Sequence, residues 1–210
     1  MKTTVCFLSL IFSTFCFAQK EFQPKNSTVN ETVDGDLDGD KIPEKVIVYN
    51  IATNNDFGDI REIQILKKIN NKWAVLEKSQ KAILRSKDGG MMGDPYMSTT
   101  IEKGILNITH YGGSSWKWGG TDKYRFQNEH FELIGFSSEG GKPEEYWTTV
   151  DFNLSTGKLI FNKEVVNIKE YGKSKNEIFI KKGMKINLQN RNQEKQRKII
   201  LPKTKEEVYL

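Results

Sequence analysis

The chain has 210 residues, 37% of them hydrophobic and 28% charged, with a formal net charge of +5. That length is enough to bury one substantial core, and so mild a basic excess is no sign of a nucleic-acid partner. Both cysteines, Cys6 and Cys16, lie near the N-terminus, so a chain cleaved after them has no disulfide, no Cys-ligated zinc and no thiol nucleophile.

Residues 1–18 read as a secretory signal peptide. Lys2 supplies the positive start, Val5–Phe12 continuing through Phe15–Phe17 supplies the apolar segment, and Cys16–Phe17–Ala18 supplies the small–x–small cleavage site before Gln19. The apolar stretch is short for a membrane helix, which needs ~20 residues. The bulky Phe15 stands where a lipoprotein signal needs a small residue. No later apolar run reaches membrane-spanning length, so the mature chain is expected to be periplasmic or extracellular, with no transmembrane segment.

Residues 19–33 are polar, rich in Asn, Ser and Thr, and without period, which predicts a flexible leader. Residues 34–165 then read as a β domain. Val46–Ile51 is a β-branched run, Ile60, Ile63 and Ile65 follow, and Ile105–Tyr111 alternates Leu106, Ile108 and His110 against Asn107 and Thr109. Tyr124–Phe126 and Phe131–Phe136 flank a polar turn at Gln127–Asn128–Glu129. Tyr146–Phe152 and Lys158–Phe161 flank a tight hairpin signal ending in Gly157. Only Lys78–Ser86 has room for a turn or two of helix.

Residues 166–210 form a basic extension with two predicted strands, Ile178–Ile180 and Ile199–Leu201. Its Lys181, Lys182, Lys185, Arg191, Lys195, Arg197 and Lys198 suit an anionic envelope surface better than nucleic acid, or simply keep a strand face soluble. Short strands with Gly- and Asn-rich turns predict an all-β, mainly antiparallel fold, a single-domain sandwich or open barrel.

One stretch points to a metal. Asp36, Asp38, Asp40, the Ile42 carbonyl and Glu44 place oxygens at alternate positions, as a loop wrapped round a cation requires. Gly39 permits the bend, and carboxylates so close repel unless a cation neutralises them. An EF-hand is excluded, because its twelfth position falls on Ile47. The loop resembles the Asp-x-Asp-Gly-Asp calcium loops of FG-GAP (integrin α-chain) blades, with Lys41 where those have glycine and Glu44 where they have Asp. That resemblance implies structural Ca2+ at the head of the first long strand; the alternative is a metal-free acidic turn.

A second stretch, 89–126, combines glycines with aromatic residues. Asp94, His110, Tyr111, Trp116 and Trp118 are the candidate ligand-binding residues, with Trp116 and Trp118 expected on one strand face. They predict an exposed platform for a glycan or peptide, or else a tryptophan-lined core bend. The Asp loop, the Gly93–Asp94–Pro95–Tyr96 turn and the His110–Trp116 block together resemble a group of exported bacterial proteins, a resemblance that implies a domain identity and carries no activity.

Catalytic signatures are sparse. Gly112–Trp116 is not a nucleophile elbow, there is no His-x-x-x-His pair, and no glycine-rich loop ends in Lys-Ser/Thr. The expected function is therefore a non-catalytic, calcium-stabilised binding module. The alternative is a small secreted hydrolase of a cell-wall or extracellular polymer, using His110 and Asp94.

Overall fold

The computed structural model describes residues 21–210; the expected signal peptide lies outside the described residues. Strands β1 (Ser27–Gly35), β2 (Glu44–Ile51), β3 (Ile60–Ile69) and β4 (Lys72–Ser79) form a four-stranded antiparallel meander. A second meander of seven strands follows: β5 (Tyr96–Glu102), β6 (Ile105–Gly113), β7 (Lys117–Gln127), β8 (His130–Lys142), β9 (Tyr146–Asn153), β10 (Lys158–Val165) and β11 (Lys175–Ile180). A short hairpin, β12 (Lys198–Ile200) with β13 (Glu207–Tyr209), completes the sheets. One helical turn, α1 (Ile168–Tyr171), interrupts the strand series before β11. Neither large sheet closes into a barrel.

The meanders follow from turn chemistry. Asn70–Asn71, Lys103–Gly104 and Asn128–Glu129 each join successive strands as two-residue loops with both φ positive, the mirror-image turn whose twist matches a hairpin. Between β9 and β10, Gly157 takes φ +79, at little cost because it lacks a Cβ.

Period-two alternation then turns one face of each sheet inward. Val46, Val48, Ile63 and Ile65 of the smaller sheet share one core with Leu106, Ile108, Phe136 and Phe152 of the larger. The product is an antiparallel β-sandwich.

Three segments go beyond the sequence reading, the first by overturning it. Residues 27–33, expected within the flexible leader, form most of β1, which pairs with β2 from Ser27↔Ile51 to Gly35↔Glu44. An edge strand is held by main-chain hydrogen bonds, and a hydropathy pattern does not register those. Upstream, Phe22 packs against Ile47, Tyr49 and Leu66 on the outer face of the smaller sheet, and its carbonyl accepts from Gln64 Nε2 at 2.9 Å. Second, the extension beyond 165, whose relation to the main sheet the sequence leaves open, joins it, since β11 pairs along β10. Leu133 N–H donates to Ile186 O and Leu188 N–H to Phe131 O, laying residues 186–188 along β8. Third, Lys78–Ser86 holds the end of β4 and a loop, with no helix; Ala82 and Ile83 are buried there by tertiary packing.

Charged groups also tie the sheets together. Glu77 of β4 is buried and its Oε2 accepts from Phe131 N–H at 2.9 Å. Glu31 of β1 accepts from Thr99 N–H of β5 at 2.8 Å.

Phe22→Ala is expected to lower stability by about 1–2 kcal/mol, the transfer energy of a partly buried ring, read from urea unfolding. An unchanged unfolding midpoint would mean that the segment before β1 contributes nothing to the fold.

Candidate metal loop and ligand cleft

Residues 36–43 connect β1 to β2. Main-chain donors hold the loop: Gly39 N–H to Asp36 Oδ1 at 2.7 Å, Lys41 N–H to Asp36 Oδ2 at 3.0 Å, and Ile42 N–H to Asp40 Oδ1 at 2.8 Å. Each short side chain satisfies a backbone donor two to five residues on, as Asp does in turns. The result brings one carboxylate oxygen each from Asp36, Asp38 and Asp40 within 4.8 Å of one another.

Glu44, expected as a fifth ligand, lies outside that converging group. As the first residue of β2 it turns inward, fully buried, and its Oε2 accepts from Leu37 N–H at 2.8 Å. Its other oxygen, Oε1, is buried without a hydrogen-bond partner. Burial raises its pKa; the Leu37 bond opposes that, and the charges of Asp38 and Asp40 add to it. Ile42 directs a half-exposed side chain outward, with its N–H on Asp40.

A cation from the chain itself meets this charge. Lys67 of β3 donates from Nζ to Asp38 Oδ2 and, at 2.8 Å, to Asp40 Oδ2. The two bonds raise the Lys67 pKa, and the lysine contact lowers that of Asp40.

The expected aromatic platform does not assemble. Trp116 lies in the turn before β7, exposed, its ring 5.4 Å edge-on from Tyr146, which in turn packs 5.0 Å from Tyr171. Neither tyrosine is near Trp116 in sequence, so nothing in the chain pattern announces the cluster. Tyr111 and Trp118 occupy opposite faces of the larger sheet. Tyr111 lies over Gly119 on the outer face, beside an aligned row of hydroxyls, Ser98, Thr109, Thr121 and Ser137. Trp118 faces inward over Gly112. The register pairs Gly112 with Trp118 and Tyr111 with Gly119, and parity does the rest. Asp94 serves as counterion to the fully buried Arg61, whose Nη2 donates to Asp94 Oδ2 and whose Nη1 donates to Leu84 O.

His110 and Tyr111 line one hollow beside the outer hydroxyl row, whereas on the inner side His110 and Trp118 share a site. They border a cleft of about 280 Å³ between the larger sheet and the C-terminal segment. At its floor Arg191 and Asp122 are buried and doubly paired, Nε to Oδ2 at 2.7 Å and Nη2 to Oδ1 at 3.2 Å. Gln193 Nε2 and Tyr124 Oη also donate to Asp122 Oδ2. His110 is buried and its Nε2 accepts from Leu84 N–H at 3.3 Å; burial pushes its pKa down to about 4, the Asp122 carboxylate pulling the other way.

Sequence reasoning missed Asp122, Arg191 and Gln193, and it placed Arg191 in a solvated basic tail. The Gly119–Gly120 doublet inside a strand was the available signal, because strand glycines mark a close approach or an opening. Among the described residues no helix is long and apolar enough to cross a membrane. Comparison with known protein families, curated proteins and solved structures found no match for this chain.

An unperturbed histidine titrates near 6.5. Between that value and about 4 an unfolded chain takes up a proton that folded His110 refuses. Stability is therefore unaffected above the window and falls as pH drops through it, by up to ~3 kcal/mol. His110→Gln, whose amide oxygen can accept the Leu84 N–H, is expected to lose less stability between neutral pH and about 4.5 in urea unfolding. Equal losses would place the titrating group elsewhere.

Proposed function

We propose that this chain is an exported, non-catalytic β-sandwich module, stabilised by calcium at the 36–43 loop and binding a glycan or peptide beside Trp118. Export rests on the signal-peptide pattern of residues 1–18. The calcium reading rests above all on one observation, the convergence of Asp36, Asp38 and Asp40 within 4.8 Å. Calcium takes six to eight oxygens, so water would complete the set.

The non-catalytic reading rests on how the candidate acid–base groups are engaged. His110 Nε2 accepts a backbone N–H, and Asp94 is held by Arg61. Each does structural work that a proton-transfer role would interrupt.

Extracellular calcium modules bind with Kd of about 10⁻⁴–10⁻³ M, and a ligand at a hundred times its Kd adds ~2.7 kcal/mol to stability. Calcium is therefore expected to raise the melting temperature by several degrees, and Asp38→Ala to abolish the response. Lys67→Met is expected to melt lower in chelator and to gain more from calcium, since the ion no longer displaces an ammonium. Identical melts of the wild-type and Lys67→Met proteins with and without calcium would defeat the metal reading.

A further inference from the structure

The cleft beside Trp118 exists because side chains are missing from the inner face of the larger sheet. The register aligns one row across it as His110, Gly120, Ser138, Val150 and Phe161, and the next as Gly112, Trp118, Gly140 and Thr148. Three of those positions are glycine, on three successive strands, β6, β7 and β8. At Gly112 the reason is Trp118, since a Cβ there would lie 2.6 Å from Cζ2 of the indole. At Gly140 a Cβ would come 2.9 Å from the Lys117 carbonyl oxygen.

Gly120 has no comparable demand. It has no positive φ, and the nearest atom to an added Cβ is Ser137 O at 3.3 Å, a contact relieved by a shift of a few tenths of an ångström. What Gly120 does is keep the middle of the row bare, so that backbone floors the cleft between His110 and Ser138.

The chemistry of the lining narrows the occupant. Its charged floor is self-cancelling, because Arg191 and Asp122 neutralise each other and Gln193 bonds to both. His110 is neutral throughout the physiological range. An anion or a cation therefore finds no unpaired opposite charge at the floor. What remains is apolar surface from Trp118, Phe136, Val150 and Phe161, interleaved with neutral hydrogen-bonding groups on Ser138, Thr148 and Gln196; the two carboxylates of the lining are both exposed, Glu207 paired with Lys198 and Glu139 at a strand position of opposite parity to Ser138 and Gly140. A pyranose ring has that character, with C–H faces that pack on an indole and hydroxyls that need neutral donors and acceptors. The volume of about 280 Å³ sits at the small end of ligand sites and suits one ring.

We propose that this glycine-cleared cleft binds a single neutral pyranose unit, the terminal residue of an uncharged glycan. This rests on the reading of the cleft as the module's ligand site, and selects glycan over peptide.

The test is a titration of the isotope-labelled full mature chain with methyl glucoside, methyl galactoside, methyl mannoside and methyl N-acetylglucosaminide, followed by NMR. At least one is expected to shift the Trp118 indole N–H and the Gly120 and Ser138 amides at millimolar concentration. Glucuronic acid is expected to bind about tenfold more weakly or not at all, and Gly120→Val to reduce affinity at least about tenfold. Gly120→Ala, a smaller intrusion, serves if the valine variant melts without cooperativity. Absence of any sugar-induced shift at those three residues would overturn the proposal. So would shifts that persist unchanged in a folded Gly120 variant. A response to trialanine alone would also overturn the pyranose assignment while leaving a ligand cleft in place. The calcium melts are read separately, so failure here leaves the metal reading standing.

Discussion

The structure depends on burial of one apolar core between two meanders, which obliges every charged group crossing that core to bring its partner. Burying a charge without a counter-charge or hydrogen bonds is among the largest penalties in folding. Arg61 meets that obligation with Leu84 O and Asp94, Arg191 with Asp122 and Gln193, and Glu77 with Phe131 N–H. These contacts join the smaller sheet to the loop before β5, the C-terminal segment to β7, and β4 to β8. Apolar packing is non-directional, whereas these pairs have defined geometry, and they set how the layers sit on one another.

The C-terminal segment owes its place to the same constraint. Residues 186–188 add to the start of β8, Arg191 enters the interior to meet Asp122, and Leu210 exchanges two main-chain hydrogen bonds with Arg197. The hairpin of β12 and β13 is thereby held against the core through Ile199 and Val208. A stretch whose composition is that of a solvated basic tail closes one side of the sandwich and walls the cleft.

The acidic loop shows the surface form of the problem. Three carboxylates drawn together by their own backbone hydrogen bonds need positive charge nearby, and Lys67 reaches them from β3. Lys67 is 29 residues from Asp38, so the pairing exists only because β3 lies next to β2. Glu44 shows how one step in sequence changes an environment: as the opening residue of a strand it is drawn inward, where it accepts from Leu37 N–H of the loop and stands apart from the three aspartates.

Local pattern alone carried the all-β class, most strands between Val46 and Phe161 but not β5, the hairpin at Gly157 and the acidic loop, because alternation, turn propensity and carboxylate spacing act over a few residues. Tertiary structure alone decided which aromatic rings share a face, since a single position of parity separates Tyr111 from Trp118 and register is a property of paired strands. It also decided that the polar residues 27–33 would pair as an edge, and that Arg191 would leave the solvent for Asp122, a partner 69 residues away. Long-range pairing answers to the whole core, and no window of the chain contains that information.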